Sequence, residues 1–212
     1  MEPALPSQIA LPLDSPGNGE AASIVVGNAN AHVAEALADP SGWPFHTAIL
    51  TGPPASGKSL LGQWFAAQQT DSLPRAVIDG ADSIDETALF HRWNRAQEDT
   101  MPLLLIADKS PWTIALPDLK SRLGAALQLE IGVPDDEMIA DLLESHAKRR
   151  GLALGEGARA YLVPRMERSF TGIERIVATI DRLSLERKVA PTMSVWRDAL
   201  EAVQGPEQSR LF

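Results

Sequence analysis

The 212-residue sequence contains no cysteine. This absence excludes disulfides, thiolate metal ligands and cysteine nucleophiles at the same time. Histidine is also scarce, and its occurrences show no ligand spacing: His32, His46, His91 and His146. The sequence therefore predicts no metal ion held by protein ligands alone.

Long apolar runs are missing as well. No run reaches the ~18 to 20 residues that a membrane-spanning helix needs. The N-terminal tail, residues 1–22, has no basic residue, so we expect neither a secretory signal nor a transit peptide. The expectation is a cytoplasmic protein with no membrane partner.

Positive charge is in deficit, with 19 lysines and arginines against 28 acidic residues and a net charge of −9. Such a chain repels a phosphate backbone. If DNA matters to this protein, we expect the contact to be indirect, through another protein.

Short apolar runs alternate with helical patterns in the first half of the chain. The runs are "TAILTG" (47–52), "RAVID" (75–79) and "PLLLIAD" (102–108). Strands alternating with helices indicate a parallel sheet covered on both faces. An earlier helix is expected from Ala31, with Asn28 or Asn30 as its cap. We assign residues 1–22, rich in Pro, Gly and Ser, to a flexible tail that is disordered until bound, and residues 23–133 to an α/β domain.

From Pro134 onward the pattern is helical only. Apolar residues recur at helical spacing after "PDDE", again in 171–188 and again from Met193. We therefore expect a small helical domain at 134–204, followed by a flexible C-terminal tail at 205–212.

The stretch "GPPASGKS" (52–59) matches the phosphate loop G-x-x-x-x-G-K-[ST] between a predicted strand and a predicted helix. Backbone N–H groups of such a loop surround phosphate oxygens, the lysine reaches the β and γ phosphates, and the serine binds Mg²⁺. The alternative is a glycine turn that matches by chance. The motif predicts ADP or ATP with Mg, bound by Gly52, Pro53, Pro54, Ala55, Ser56, Gly57, Lys58, Ser59 and Leu60.

Hydrolysis also needs an acidic group near the metal. Asp79 ends the run "RAVID", and Asp82 follows three residues later. We take both as catalytic candidates, with Asp79 and Ser59 as the pair nearest Mg²⁺. The alternative is that both are turn residues around Gly80.

These motifs together resemble the Hda family, DnaA-related members of the AAA+ ATPases, over about residues 8–203. "VVGNANAHVAEAL", "GPPASGKS", "DGADSIDETALFHRWN", "LLIADKSP" and "LPDLKSRL" each resemble a family segment. The resemblance implies a P-loop AAA+ core with a helical lid. It also implies that Asp108 is the first sensor and that Arg122 is an arginine finger acting on a neighbouring subunit's nucleotide. Without the resemblance, Arg122 would be read as a surface basic residue.

Two departures from the family stand out. Only Asp71 to Pro74 separate the phosphate-loop helix from "RAVID", so one strand and one helix are expected to be missing. Glu174 occupies the place of the family's second-sensor arginine, with Arg175 one position later.

The N-terminal stretch "QIALPL" resembles the hexapeptide with which Hda-type proteins dock on the replication sliding clamp. The C-terminal "QSRLF" fits a related form. The resemblance implies clamp contacts by Gln8, Ile9, Leu11, Pro12 and Leu13 in the first tail. In the second tail they are Gln208, Leu211 and Phe212.

Three functions remain open on this evidence. The resemblance favours a regulator of replication initiation that binds the clamp and promotes hydrolysis of DnaA-bound ATP. The alternatives are a stand-alone P-loop ATPase such as a helicase loader, and a non-catalytic adaptor that holds a nucleotide. A homodimer is possible in each case.

Overall fold

The computed structural model describes residues 8–10, 23–70, 74–155 and 157–205. The chain divides into two compact units, Met1–Gly132 and Val133–Phe212. The first holds the sheet, and the second is helical.

The first unit is built on a four-stranded parallel sheet in the order β4-β5-β3-β6. The central strands are nearly continuous apolar runs, as strands covered on both faces must be. The strands are β3 (Thr47–Thr51), β4 (Ala76–Ile78), β5 (Leu103–Ile106) and β6 (Leu127–Glu130).

Four strands agree with the shortened sheet that the sequence predicts. Strand β4 stands at one edge, beside β5. Strand β6 was not among the expected strands, and it pairs with β3 on the opposite side from β5.

Helices follow the strands of this unit. They are α1 (Ala31–Ala38), α2 (Lys58–Ala67), α3 (Glu86–Glu98) and α4 (Pro117–Gly124). Helix α3 begins at a side-chain cap, because Asp85 Oδ1 accepts a hydrogen bond from Ala88 N at 3.0 Å. Helices α3 and α4 share one apolar core with the sheet, which includes Leu89, Trp93, Leu119 and Leu123.

A small antiparallel pair precedes these elements. Strand β1 (Gln8–Ala10) pairs with β2 (Ser23–Val25), and Ile9 lies opposite Ile24. Residues 8–10 of the segment expected to be disordered until bound thus form a strand, and the rest of that segment, residues 1–7 and 11–22, lies outside the described residues. Pairing gives backbone groups of an extended segment their hydrogen-bond partners.

The second unit contains α5 (Asp136–Arg149), α6 (Ala158–Leu162), α7 (Phe170–Arg187) and α8 (Met193–Gln204). Side-chain caps start two of them, with Asp135 Oδ1 accepting from Met138 N and Ser169 Oγ from Gly172 N. Its own core is lined by residues such as Ile139, Ile176 and Trp196. Within the described residues, no helix has the length and apolar character to cross a membrane.

Candidate functional site

The predicted site residues follow the carboxyl ends of neighbouring parallel strands. Gly52 follows β3, Asp79 follows β4, and Asp108 lies two residues after β5. Because parallel strands end at one edge of a sheet, these residues lie along the same edge. Ligands of open α/β sheets bind outside this edge.

The loop 52–57 takes the shape of a phosphate cradle. Ala55 and Gly57 have φ values of 60° and 86°, so the backbone turns sharply before α2 begins at Lys58. A Cβ atom on Gly52 would lie 2.8 Å from Ile131 Cβ. Glycine is therefore required at Gly52 by the close approach of the chain after β6.

Lys58 is buried, with only 7% of its surface exposed. Its Nζ donates to Gly52 O at 2.9 Å and to Pro53 O at 3.1 Å, and it lies 3.1 Å from Asp108 Oδ1. A buried ammonium ion is costly unless paired and hydrogen-bonded. The structure thus brings the predicted lysine and the predicted sensor together.

Two features of this loop fit a phosphate group. Ser56 Oγ is buried and has no hydrogen-bond partner among the described residues. Helix α2 starts at the loop, so its N-terminus presents backbone N–H groups and a positive dipole end. Such a cradle suits the phosphates of a nucleotide.

The two acidic candidates have different surroundings. Asp79 is exposed at the end of β4. Asp82 instead contacts Lys109, the residue after the predicted sensor. Its Oδ2 accepts from Lys109 N at 3.0 Å, and Lys109 Nζ donates to Asp82 O at 3.3 Å. Asp82 therefore connects the ends of β4 and β5. No group of three metal-ligating side chains occurs in the described part of the chain.

Arg122 lies in the last turn of α4 and is held by neutral groups. Its guanidinium carbon is 4.6 Å from the ring centroids of both Phe90 and Trp93. Its Nη1 donates to the side-chain oxygen of Asn94. All three partners belong to α3. Neither an aromatic face nor an amide carries a negative charge, so these contacts hold the Arg122 side chain without forming an ion pair.

Sequence reasoning missed the residues that hold Arg122. Phe90, Trp93 and Asn94 lie on one face of α3, at a spacing of three and four residues. That spacing was visible in "FHRWN", but it is equally typical of a helix packed on a core.

The segment before α1 also differs from expectation. Asn30 occupies the cap position of α1 but makes no side-chain cap. Its buried amide donates to Val25 O at 2.9 Å and accepts from Gly27 N at 2.9 Å. Asn30 thus stabilises the turn that leads into α1, rather than the helix.

Glu174, which the resemblance puts at the place of the family's second-sensor arginine, lies exposed on α7 of the helical unit. Burial lowers the pKa of His146 on α5, and the charge of Arg149 lowers it further. The charge of Glu174 raises the pKa of His146, and the charge of Arg150 lowers it. The face between α5 and α7 therefore favours a neutral imidazole.

The predicted clamp-binding residues lie mostly outside the part of the chain that the structure describes. The backbone of Gln8 and Ile9 belongs to β1. The remaining residues lie outside the described residues: Leu11, Pro12, Leu13, Gln208, Leu211 and Phe212.

A family model described as "Hda, lid domain" matches residues 135–194, which span α5 to the start of α8. The fold of most of the chain, a parallel sheet with helices and a helical second unit, is similar to domain III of the Thermotoga maritima replication initiation protein DnaA. That match has a TM-score of 0.70 and 16% identity and covers 86% of this chain and 95% of that one. The helical unit is therefore similar to the lid domain of Hda, and the fold is similar to that of DnaA domain III.

Other solved structures share this fold. AMPPCP-bound DnaA from Aquifex aeolicus matches with a TM-score of 0.56 and 19% identity, over 78% of this chain and 66% of that one. The Thermotoga maritima RuvB Holliday junction branch migration motor matches with a TM-score of 0.54 and 15% identity. That match covers 76% of this chain and 64% of the RuvB chain. At these identities the likeness concerns the fold.

A curated relative matches by sequence over part of the chain. It is an uncharacterised protein of Haemophilus influenzae, 33% identical over 104 residues. The match spans 48% of this chain and 45% of the relative, just under half the length of each.

Proposed function

We propose that this protein regulates replication initiation. In this proposal the protein binds the sliding clamp and promotes hydrolysis of the ATP that DnaA holds. The observation that carries this proposal is the presentation of Arg122. Its guanidinium is fixed at the end of α4 by two aromatic rings and an amide, and no carboxylate of the described residues pairs with it. An arginine finger needs this combination of fixed position and full charge.

The chain's own phosphate loop is proposed to bind ADP or ATP. The neighbouring DnaA structures with AMPPCP support an adenine nucleotide. Lys58 would contact the phosphates in place of its present carbonyl oxygens. Ser59 and Asp79 would hold Mg²⁺ through the nucleotide, which supplies phosphate oxygens to the ion. Asp108, now paired with Lys58, would then face the nucleotide.

The role of Arg122 is to stabilise charge on the transferred phosphoryl group of the neighbouring subunit. That charge is greatest in the transition state, so a positioned guanidinium lowers the barrier more than it strengthens binding. A finger supplied by a partner is worth a factor of ~10³ to 10⁵ in rate.

The test is ATP hydrolysis by DnaA with this protein, with and without DNA-loaded clamp. We expect stimulation that requires both, and loss of stimulation by Arg122→Ala with unchanged nucleotide affinity. Lys120→Ala is the matched control, because Lys120 is an exposed basic residue on the same helix.

Two results would overturn the proposal. Steady hydrolysis by the purified protein without DnaA would favour a stand-alone ATPase. Full activity of Arg122→Ala in regulating DnaA would favour an adaptor that needs no finger.

A further inference from the structure

Glu86 makes a contact that its own helix does not need. It is the first residue of α3, where Asp85 already provides the cap. The Glu86 carboxylate reaches the chain that enters α4: Oε1 accepts from Ala115 N at 2.9 Å and Oε2 from Leu116 N at 2.6 Å. One side chain thus binds two successive backbone N–H groups some 30 residues away.

Helix α4 lacks a side-chain cap of its own. Leu116 occupies the cap position and makes no cap hydrogen bond, and Pro117 follows at the first helical position. The helix has eight residues, about two turns. Helices this short are marginal unless other parts of the protein hold them.

Helix α3 holds α4 at two points. Near its start, Glu86 binds the backbone before α4, and about 12 Å further along, Asn94 binds the Arg122 side chain. Between these points, Leu119 and Leu123 are buried in the core that α3 shares. The leucines fix one face of α4, and the polar contacts fix its two ends.

We propose that Glu86 is a positioning residue for Arg122. By binding Ala115 and Leu116, its carboxylate sets the position and direction of α4, and thereby where the guanidinium is presented. This inference rests on the proposed function, in which Arg122 acts on a partner's nucleotide. Displacing a catalytic group by about 1 Å costs as much as a hundredfold in rate.

The first measurement does not depend on activity. We compare Glu86→Ala and Glu86→Gln by NMR, following amide exchange at Ala115 and Leu116 and the Nε–H signal of Arg122. We expect faster exchange and a shifted, broadened Arg122 signal in Glu86→Ala. Glu86→Gln, which keeps a carbonyl acceptor, should show a smaller change. Glu98→Ala is the control, since Glu98 is an exposed carboxylate at the other end of α3.

The second measurement is stimulated ATP hydrolysis by DnaA at saturating protein, with binding to DnaA measured separately. For Glu86→Ala we expect a rate lower by roughly ten- to a hundredfold with affinity for DnaA nearly unchanged, and partial recovery in Glu86→Gln. A merely structural role would lower the amount of folded protein, leaving the rate per folded molecule unchanged.

The outcomes separate this inference from the proposed function. If the wild type stimulates hydrolysis, Arg122→Ala does not, and both Glu86 variants equal wild type, the positioning role is wrong and the finger stands. If the wild type does not stimulate DnaA, the proposed function is wrong. An unchanged Arg122 signal in Glu86→Ala then overturns the positioning role independently. Should Glu86→Ala fail to fold, Glu86→Gln decides, because its single carbonyl oxygen replaces two acceptors: an Arg122 signal and a stimulated rate equal to wild type would overturn the positioning role.

Discussion

The buried charge of Lys58 is compensated in this structure and would also be compensated with a phosphate bound. Its ammonium group is buried, so three oxygen atoms of the chain surround it: two carbonyls of its own loop and the Asp108 carboxylate. Asp108 is itself 79% exposed in its side chain. A phosphate that replaces these oxygens keeps the charge of Lys58 compensated.

We expect Lys58→Ala to lower ADP and ATP affinity at least tenfold. A hydrogen bond to a charged group contributes about 1.5 to 3 kcal/mol, and each 1.4 kcal/mol is a factor of ten. Isothermal titration calorimetry measures the change, with Lys120→Ala as the control. Wild-type affinity in Lys58→Ala would show that the loop does not bind phosphate through this lysine.

Helix α2 is an element whose position depends on one glycine. A Cβ atom on Gly62 would lie 2.6 Å from Ile106 Cδ1 and 3.2 Å from Val77 Cγ1. Helix α2 therefore lies directly against the sheet at this point. By contrast, a Cβ atom built on Gly124, at the end of α4, would meet no atom of the described residues within 4 Å apart from its chain neighbours and its own helix backbone.

We expect Gly62→Ala to destabilise the protein by ~1 kcal/mol or more. Alanine favours a helix over glycine by ~0.5 to 1 kcal/mol, but overpacking a core costs ~1 to 3 kcal/mol. Gly124→Ala, which gains the propensity without the overlap, should be neutral or stabilising. Urea unfolding measures both. Equal stabilisation by the two substitutions would mean that the core accommodates the methyl group.

His146 makes the stability of the helical unit depend on pH. Because burial lowers its pKa in the folded state, the unfolded chain binds the proton first as pH falls through about 6.5. Stability contributed by neutral His146 is complete above that pH. It decreases as pH falls from there toward the lower folded-state pKa.

We therefore expect the urea concentration at the unfolding midpoint of this unit to decrease when the pH is lowered from 7 to 5. The decrease should be smaller in His146→Gln. The indole resonance of Trp196, which is buried in the same core, reports the transition. His91→Gln, an exposed change on α3, is the control. An identical pH dependence in wild type and His146→Gln would remove His146 as the cause.

Elements were predictable from sequence where the signal was long or contiguous. The lid helices α5, α7 and α8 have apolar stripes of three or more turns, and their core confirms the helical prediction. Strand β6 was missed because only Leu127 and Leu129 alternate with polar residues, which is too short a pattern to separate from a loop. Helix α6, with five residues, was missed for the same reason.

In the candidate site, too, contiguous motifs were predictable from the sequence and contacts between distant residues were not. The phosphate loop is contiguous, so its motif is readable from eight letters. The contacts of Arg122 with Asn94, and of Glu86 with Ala115, join residues 28 and 29 positions apart. No local pattern encodes such a pairing. It follows only from how α3 and α4 pack.

At the scale of the whole molecule, the two tails are proposed to carry the clamp contact. We expect replacement of Gln8, Leu11 and Leu13 by alanine to lose most clamp binding, and deletion of 208–212 to lose less. Loss of both tails should cost more than either change, because linked sites raise each other's effective concentration. Surface plasmon resonance on immobilised clamp measures all three. Binding that survives the double change would assign the contact to the folded units.

The strand order of the sheet has a consequence for how the chain folds as it is made. Strand β3 is central, yet its neighbours β5 and β6 come more than 50 and about 80 residues later. The packing of Gly52 against Ile131 is completed only after residue 131 has left the ribosome. The helical unit, in contrast, joins elements that follow one another closely, and such local contacts form faster. A nascent chain of this protein therefore carries an unfinished phosphate loop until the segment after β6 has emerged, whereas the helical unit needs only contacts within its own shorter stretch of chain.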